Sequence, residues 1–260
     1  MTGGRTPAVR DPYAGLAPVY DLLARLPGTR PFYRRWRQHL RSAADGRAAA
    51  GTILVDLACG TGNSTIPWSR KRGWTVIGVD RSAAMLRVAR RKSRAVRWVH
   101  QDLTALSLDV RADLITCHFD ALNHVLDERT LGRAFRRVAA ALRPGGLFQF
   151  DLNTIHMLRW LDGREKLFHV RPHWFTACNT FDRPSGVATF TQHWFIRTGR
   201  RFERRVVSVQ ERAFGDAVIT RLLGGAGLRL LTVETQIEMD GKPMRKLYVA
   251  AKPVRRAVAH

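Results

Sequence analysis

The segment Val55-Asp56-Leu57-Ala58-Cys59-Gly60-Thr61-Gly62 closes an apolar run and leads into residues with helical spacing. Two glycines at such a junction let the backbone approach a ligand closely, and the N–H groups opening a helix suit its anionic end. A dinucleotide loop would place a third glycine where Thr65 stands, and Asp56 stands four residues before Gly60, so a pyrophosphate is not the favoured ligand. Asp80 ends the next apolar run, 20 residues after Gly60. A carboxylate at that place accepts hydrogen bonds from both hydroxyls of an adenosine ribose. A later run, Leu114 to Cys117, is followed by His118, Phe119, Asp120, Asn123 and His124. An imidazole of near-neutral pKa, His118 or His124, can take a proton from a hydroxyl or ammonium; Asp120 is the charged alternative. His169, His173 and His193 lack a carboxylate at ligand spacing, and no metal is expected.

These groups need a scaffold that brings strand ends together. Short apolar runs at Ile53–Leu57, Thr75–Val79, Arg97–His100, Leu114–Cys117 and Gly146–Asp151 alternate with helix-patterned stretches such as Ser82 to Arg94 and Leu131 to Leu142. Alternation of that kind means βαβ units and a parallel sheet, whose ligands lie beyond the carboxyl ends of the strands. From Lys166 to Arg212 the text becomes rich in aromatic and β-branched residues, with turn signals at 182–186 and 198–200, which predicts three antiparallel strands. Along 190–196, period-two alternation puts Gln192 and Trp194 on one face and His193 and Phe195 on the other. Helix returns at Phe214 to Gly225, and strands at Leu228–Thr235 and Lys246–Ala251 complete the main sheet.

The expected fold is α/β: a Rossmann-like, seven-stranded, mostly parallel sheet with helices on both faces, an N-terminal helical cap and an antiparallel β insertion. The expected divisions are a cap over 1–45, a core over 46–155 and 214–253, and an insertion over 156–213 that covers the acceptor site.

The chain carries 44 basic and 21 acidic residues, a formal charge of +23. Such a field attracts nucleic acid, anionic lipid and acidic small molecules alike. Six of the basic residues are lysine, so arginine dominates, and the arginines are spread over several segments rather than gathered into one stripe. No segment has the roughly 20 apolar residues of a membrane helix, and no signal-peptide core follows Met1, so a soluble, cytoplasmic monomer or homodimer with no membrane partner is expected. Cys59, Cys117 and Cys178 stand apart from one another and read as reduced thiols.

Taken in order, Asp-x-x-x-Gly-x-Gly at 56–62, Gly78-Val79-Asp80, Gln101-Asp102-Leu103, Asp113 to Cys117 and Leu142-Arg143-Pro144-Gly145-Gly146 resemble the motifs of class I S-adenosylmethionine-dependent methyltransferases. The likeness spans about residues 50 to 150, and its pattern is most similar to bacterial small-molecule methyltransferases. It implies S-adenosyl-L-methionine as cofactor. Gly60 and Gly62 would face its methionine part, Asp80 the ribose and Asp102 the adenine amino group, with Met85 and Leu103 lining the adenine slot; Asp56, Ala58, Arg81, Gln101 and His118 are further expected contacts of the cofactor. Tyr20-Asp21, with Tyr33 and Trp36, is similar to the N-terminal elements that lid the cofactor in those enzymes. The insertion's place before the last helix resembles their acceptor cover.

Methyl transfer is an in-line displacement, so the protein's work is alignment of nucleophile and methyl, plus removal of a proton where needed. After the fourth strand the chain reads Asp120-Ala121-Leu122-Asn123, not the Asn/Asp-Pro-Pro-Tyr/Phe of enzymes that methylate base amines, and no Pro-Cys nucleophile is present. The expected function is methylation of a small-molecule N or O nucleophile. Two alternatives stay open: an RNA methyltransferase recruited by the basic surface, and a cofactor-binding protein without catalysis.

Overall fold

The computed structural model describes residues 11–26, 38 and 51–254. Five parallel strands are β1 (Ile53–Leu57), β2 (Thr75–Asp80), β3 (Arg97–His100), β4 (Ala112–Cys117) and β5 (Leu142–Asn153). Four more, β6 (Glu165–Val170), β7 (His173–Asp182), β8 (Val187–Thr198) and β9 (Arg201–Arg212), form a separate antiparallel sheet in that order. The chain then returns with β10 (Arg229–Met239) and β11 (Lys242–Ala251) to complete a seven-stranded sheet ordered β10-β11-β5-β4-β1-β2-β3. Only β11 runs against its neighbours, so the sheet is mostly parallel, as expected. Among the described residues no helix is long and apolar enough to cross a membrane.

The central strands are buried on both faces, which is why β1, β2 and β4 read as continuous apolar runs instead of alternating ones. One face packs Val55, Ile77 and Ile115 against α2 (Glu128–Ala141) and α4 (Asp216–Gly225). The other packs Leu54, Val76 and Leu114 against Trp68. α1 (Ala83–Lys92) begins where Ser82 caps the Met85 N–H, and a short α3 (Ile155–Leu161) follows β5.

Two expectations need correction. The glycine loop opens no α-helix: turns run through Thr65, and a 3-10 turn, Ile66–Arg70, follows. Pro67 sets its start but withholds an N–H, and the tight turn is enough to bury Trp68. The insertion has four strands, not three, because β6 and β7 are joined through Arg171-Pro172, which carries none of the glycine or asparagine signals of the other turns. Of the N-terminal cap, the described residues are turns over 12–19, a 3-10 helix at Tyr20–Arg25 and Gln38 in a helix; Gly15 and Pro18 interrupt the helical spacing in the first part. Tyr33 and Trp36 lie outside the described residues.

Two glycines are required by one side chain. A Cβ on Gly78, in the middle of β2, would lie 2.4 Å from Cζ3 of Trp98, and one on Gly62 would lie 2.5 Å from Cη2 of the same ring. Gly62 also has φ of +82°. The indole of β3 thus presses the glycine loop onto β2. Gly78→Ala is expected to cost about 1–3 kcal/mol by overpacking, read as a shift of the urea midpoint, and Trp98→Leu in the same chain should restore most of it.

Candidate active site

A cavity of about 610 Å³ opens beyond the carboxyl ends of β1, β2 and β4. Strand order places β1 between β2 and β4, so side chains leaving β2 and β4 are two strand spacings apart, roughly 10 Å. Asp80 stands at the β2 end. Its Oδ2 accepts the Gly60 N–H at 2.7 Å and its Oδ1 the Ser82 N–H at 2.7 Å. Burial raises its pKa, and the two N–H donors oppose the shift. Both oxygens are held in place with lone pairs left over. Gly60, at φ +55°, has no atom within 4 Å of where a Cβ would be, so bare backbone borders the cavity there.

Next to Asp80, Arg81, Met85, Gln101, Asp102 and Leu103 line the same wall. Asp102 caps the turn Leu103–Ala105 through the Thr104 N–H at 2.8 Å, and the Gln101 side chain ties to Ser107. Ala58 and Tyr20 also border the cavity. Two expected contacts do not. Asp56 is 2% exposed, and its oxygens accept from Ser64, Thr65 and Thr116 at 2.8, 2.6 and 2.7 Å, so it shapes the loop from below. Gly62 faces Trp98. A spacing motif does not say which side of a loop each residue faces, and these two are turned inward.

The β4 end carries the groups that could handle a proton. Phe119 and Asp120 both have left-handed backbone, φ +60° and +55°, a conformation costing about 1–3 kcal/mol per non-glycine residue. Asp151 of β5 holds it: Oδ2 accepts the Phe119 N–H at 3.0 Å and Oδ1 the Asp120 N–H at 2.8 Å. Oδ2 also lies 3.2 Å from His118 Nδ1; a carboxylate can only accept, so Nδ1 carries the proton. Burial alone would raise the pKa of Asp151, but the Arg245 charge, His118 and the Asp120 N–H outweigh it and leave the carboxyl below its usual range.

Arg245 of β11 reaches Asp120 Oδ2 at 3.1 Å and Asp151 Oδ1 at 3.3 Å. Asn153 donates from Nδ2 to Asp120 and to Glu211 of β9, each at 2.9 Å. Burial, then the Asp120 charge, pushes the Glu211 carboxyl well above its ordinary range.

His124 borders the cavity too, but both its nitrogens are engaged: Nδ1 lies 3.0 Å from the Gln210 carbonyl and Nε2 3.3 Å from the Tyr13 hydroxyl. Nδ1 can only donate to that carbonyl, so in the neutral ring Nε2 accepts from Tyr13. Tyr13, Asp151, Glu211 and Arg245 were not legible in the sequence as site residues. Each is isolated there, and long-range folding alone joins them to residues 118–124.

Residues 11–26 strap over the cavity. Asp11 accepts from the Ser82 hydroxyl at 2.6 Å, and Arg205 donates to the Gly15 carbonyl. Asp21 accepts from Thr61 at 2.5 Å, Asn63 at 3.0 Å and Lys92 at 2.8 Å. The apolar side of the strap, Leu16, Leu22 and Leu23, packs on the inner face of the small sheet against Phe175 and Trp194. Of the other groups singled out, Phe195 lies on the exposed outer face, Arg204 pairs with His193, and His169 stacks on Trp174.

Comparison with known proteins agrees with this geometry. Residues 54–146 match a family described as a methyltransferase domain. A putative methyltransferase, YqeM, of Bacillus subtilis is 31% identical over 255 residues, covering 92% of this chain and 97% of that protein. The chain spans about half the length of other curated relatives; it covers 52% of a dTDP-3-amino-3,6-dideoxy-alpha-D-glucopyranose N,N-dimethyltransferase of Streptomyces fradiae, at 32% identity. Among solved structures, an S-adenosylmethionine-dependent methyltransferase from Clostridium acetobutylicum superposes with a TM-score of 0.79 at 26% identity, covering 93% of this chain and 99% of that one.

Proposed function

Because the chain belongs to the S-adenosylmethionine-dependent methyltransferases, we propose that it methylates a small molecule at an N or O nucleophile. The observation that carries this reading is the cavity itself, with Asp80 at one strand end and Asp120 at another, and bare Gly60 backbone between them. Asp80 would hold the ribose hydroxyls, Met85 and Leu103 the adenine, and Ala58 and Gly60 the aminoacyl end. When bound, the cofactor supplies a methyl group on a sulfonium that leaves as a neutral thioether. The chain's share is to orient the acceptor toward that methyl from the β4 end, to exclude water under the strap, and to take a proton near Asp120.

The charge of the described wall supports a small acceptor over RNA. Among the described residues, five aspartates, Asp11, Asp80, Asp102, Asp120 and Asp127, border the cavity beside a single arginine, Arg81. A chain of +23 that keeps an acidic cavity suits a cationic or neutral ligand there and disfavours a phosphate backbone. The test is formation of S-adenosylhomocysteine with a panel of amines and hydroxyl compounds against transfer and ribosomal RNA at moderate salt. Turnover on RNA that falls steeply with salt would sink the small-molecule reading. Cofactor binding with no turnover on any acceptor would favour a non-catalytic role.

The strap gives a further expectation. Asp21→Ala removes three hydrogen bonds, one of them in a partly exposed ion pair, so its stability cost should be about 1 kcal/mol or less. Cofactor dissociation should quicken by about tenfold, measured by stopped-flow displacement. Unchanged dissociation would mean that the strap does not retain the ligand.

A further inference from the structure

Three carboxyls meet one guanidinium behind the cavity. Asp151 is fully committed to backbone N–H groups, His118 and Arg245. Asp120, about one quarter exposed, faces the cavity, while Glu211 behind it is buried. Asn153 donates to both and holds them as a pair. Arg245 balances one of the two charges of Asp120 and Asp151, so a third ionised carboxyl has no counter-charge. Burial and the neighbouring Asp120 charge therefore both favour the protonated form of Glu211. The other titratable groups facing the pair are Tyr13 from the strap and His124 from the turn after β4, already joined to each other, and neither brings a positive charge in its neutral form.

Resting on the methyltransferase reading, we propose that the acceptor is an amine that enters as its ammonium ion, is anchored by Asp120, and yields its proton to the Asp120–Glu211 pair before attack. Arrival of the cation supplies the missing positive charge, and Glu211 releases its proton to solvent. The bound ammonium then passes one of its protons to the pair. The neutral nitrogen forms its bond to the methyl carbon as the carbon–sulfur bond breaks, leaving a methylated ammonium and a thioether. Glu211 acts through Asp120 and is a positioning residue. Its conversion from acid to carboxylate sets the charge that Asp120 presents.

The experiment uses the full chain and a set of primary amines, each paired with its hydroxyl counterpart. With S-adenosylmethionine, turnover should be confined to the amines, and kcat at saturating amine should be level between about pH 6 and 8. Glu211→Gln keeps the shape but cannot become a carboxylate, so Asp120 is left a weaker base and kcat should fall about a hundredfold near neutrality and climb about tenfold per pH unit. Calorimetry of the amine on protein saturated with S-adenosylhomocysteine, in buffers of different ionisation heat, should show about one proton released per amine bound by wild type and none by Glu211→Gln. Asp120→Asn should raise the amine KM about tenfold or more, and in both variants cofactor affinity serves as the folding control. Equal turnover of hydroxyl partners, a Glu211→Gln profile matching wild type, or no amine turnover despite normal cofactor binding overturns the proposal. Failure of wild type to bind the cofactor would overturn the methyltransferase reading instead.

Discussion

Replacing Asp80 with alanine is expected to weaken binding of S-adenosylmethionine and S-adenosylhomocysteine by at least about a hundredfold, roughly 3 kcal/mol for two charge-assisted hydrogen bonds. The side chain does two jobs that the substitution removes together. It holds the Gly60 and Ser82 N–H groups, each at 2.7 Å, which fixes the glycine loop and the start of α1. It also presents the lone pairs that a ribose would use. Calorimetric titration of wild type and variant with both ligands is the measurement, with thermal unfolding run alongside to separate loss of ligand contacts from loss of loop structure. Equal affinities in a folded variant would remove Asp80 from the ligand site.

Asp151→Ala should be the most damaging change at the acceptor end. It frees two strained residues, Phe119 and Asp120, removes the carboxylate hydrogen-bonded to the His118 ring and takes from Arg245 one of its two carboxylate partners. Removing one partner of a buried ion pair costs about 3–5 kcal/mol, and displacing the proton-handling groups by even about 1 Å can lower kcat a hundredfold. Cofactor affinity should change little, because Asp80 and Gly60 stand on other strands. The stability loss should also depend on pH. Asp151 has a folded pKa below the ordinary carboxylate value, so the unfolded chain takes up the proton first on acidification. Its stabilising contribution is complete above about pH 4 and is lost as pH falls through the folded value; the gap between wild type and variant in urea midpoints should narrow over that window. A gap that stays constant down to strong acid would show that Asp151 acts through shape alone.

The scaffold was legible in the sequence wherever a strand is buried on both faces, since β1, β2 and β4 then read as unbroken apolar runs with a recognisable ligand residue at the end. Asp80, Asp102, His118 and Asp120 could be found that way, because each lies at or just after a strand terminus. Asp56 and Gly62 do not border the cavity because Ser64, Thr65 and Thr116 hold the first from below and the Trp98 ring covers the second, contacts that a spacing pattern does not show. The partners of Asp120 were illegible for a related reason. Asp151 is 31 residues from it, and Glu211 and Arg245 are farther still. An isolated glutamate in a β-strand looks like any solvated charge until the fold buries it.

The clamp on the acceptor loop also sets an order of assembly. Asp80, Met85, Asp102 and Leu103, on one wall of the cavity, all lie within the segment that builds the first three strands. Arg245 belongs to β11, the last strand, which enters between β5 and β10 after both exist. Until it does, Asp120 and Asp151 repel each other across a loop of unfavourable backbone. The counter-charge shared by Asp120 and Asp151 is thus supplied by the strand that comes last in the chain, so the loop after β4 has its full set of charge partners only when the whole sheet is complete.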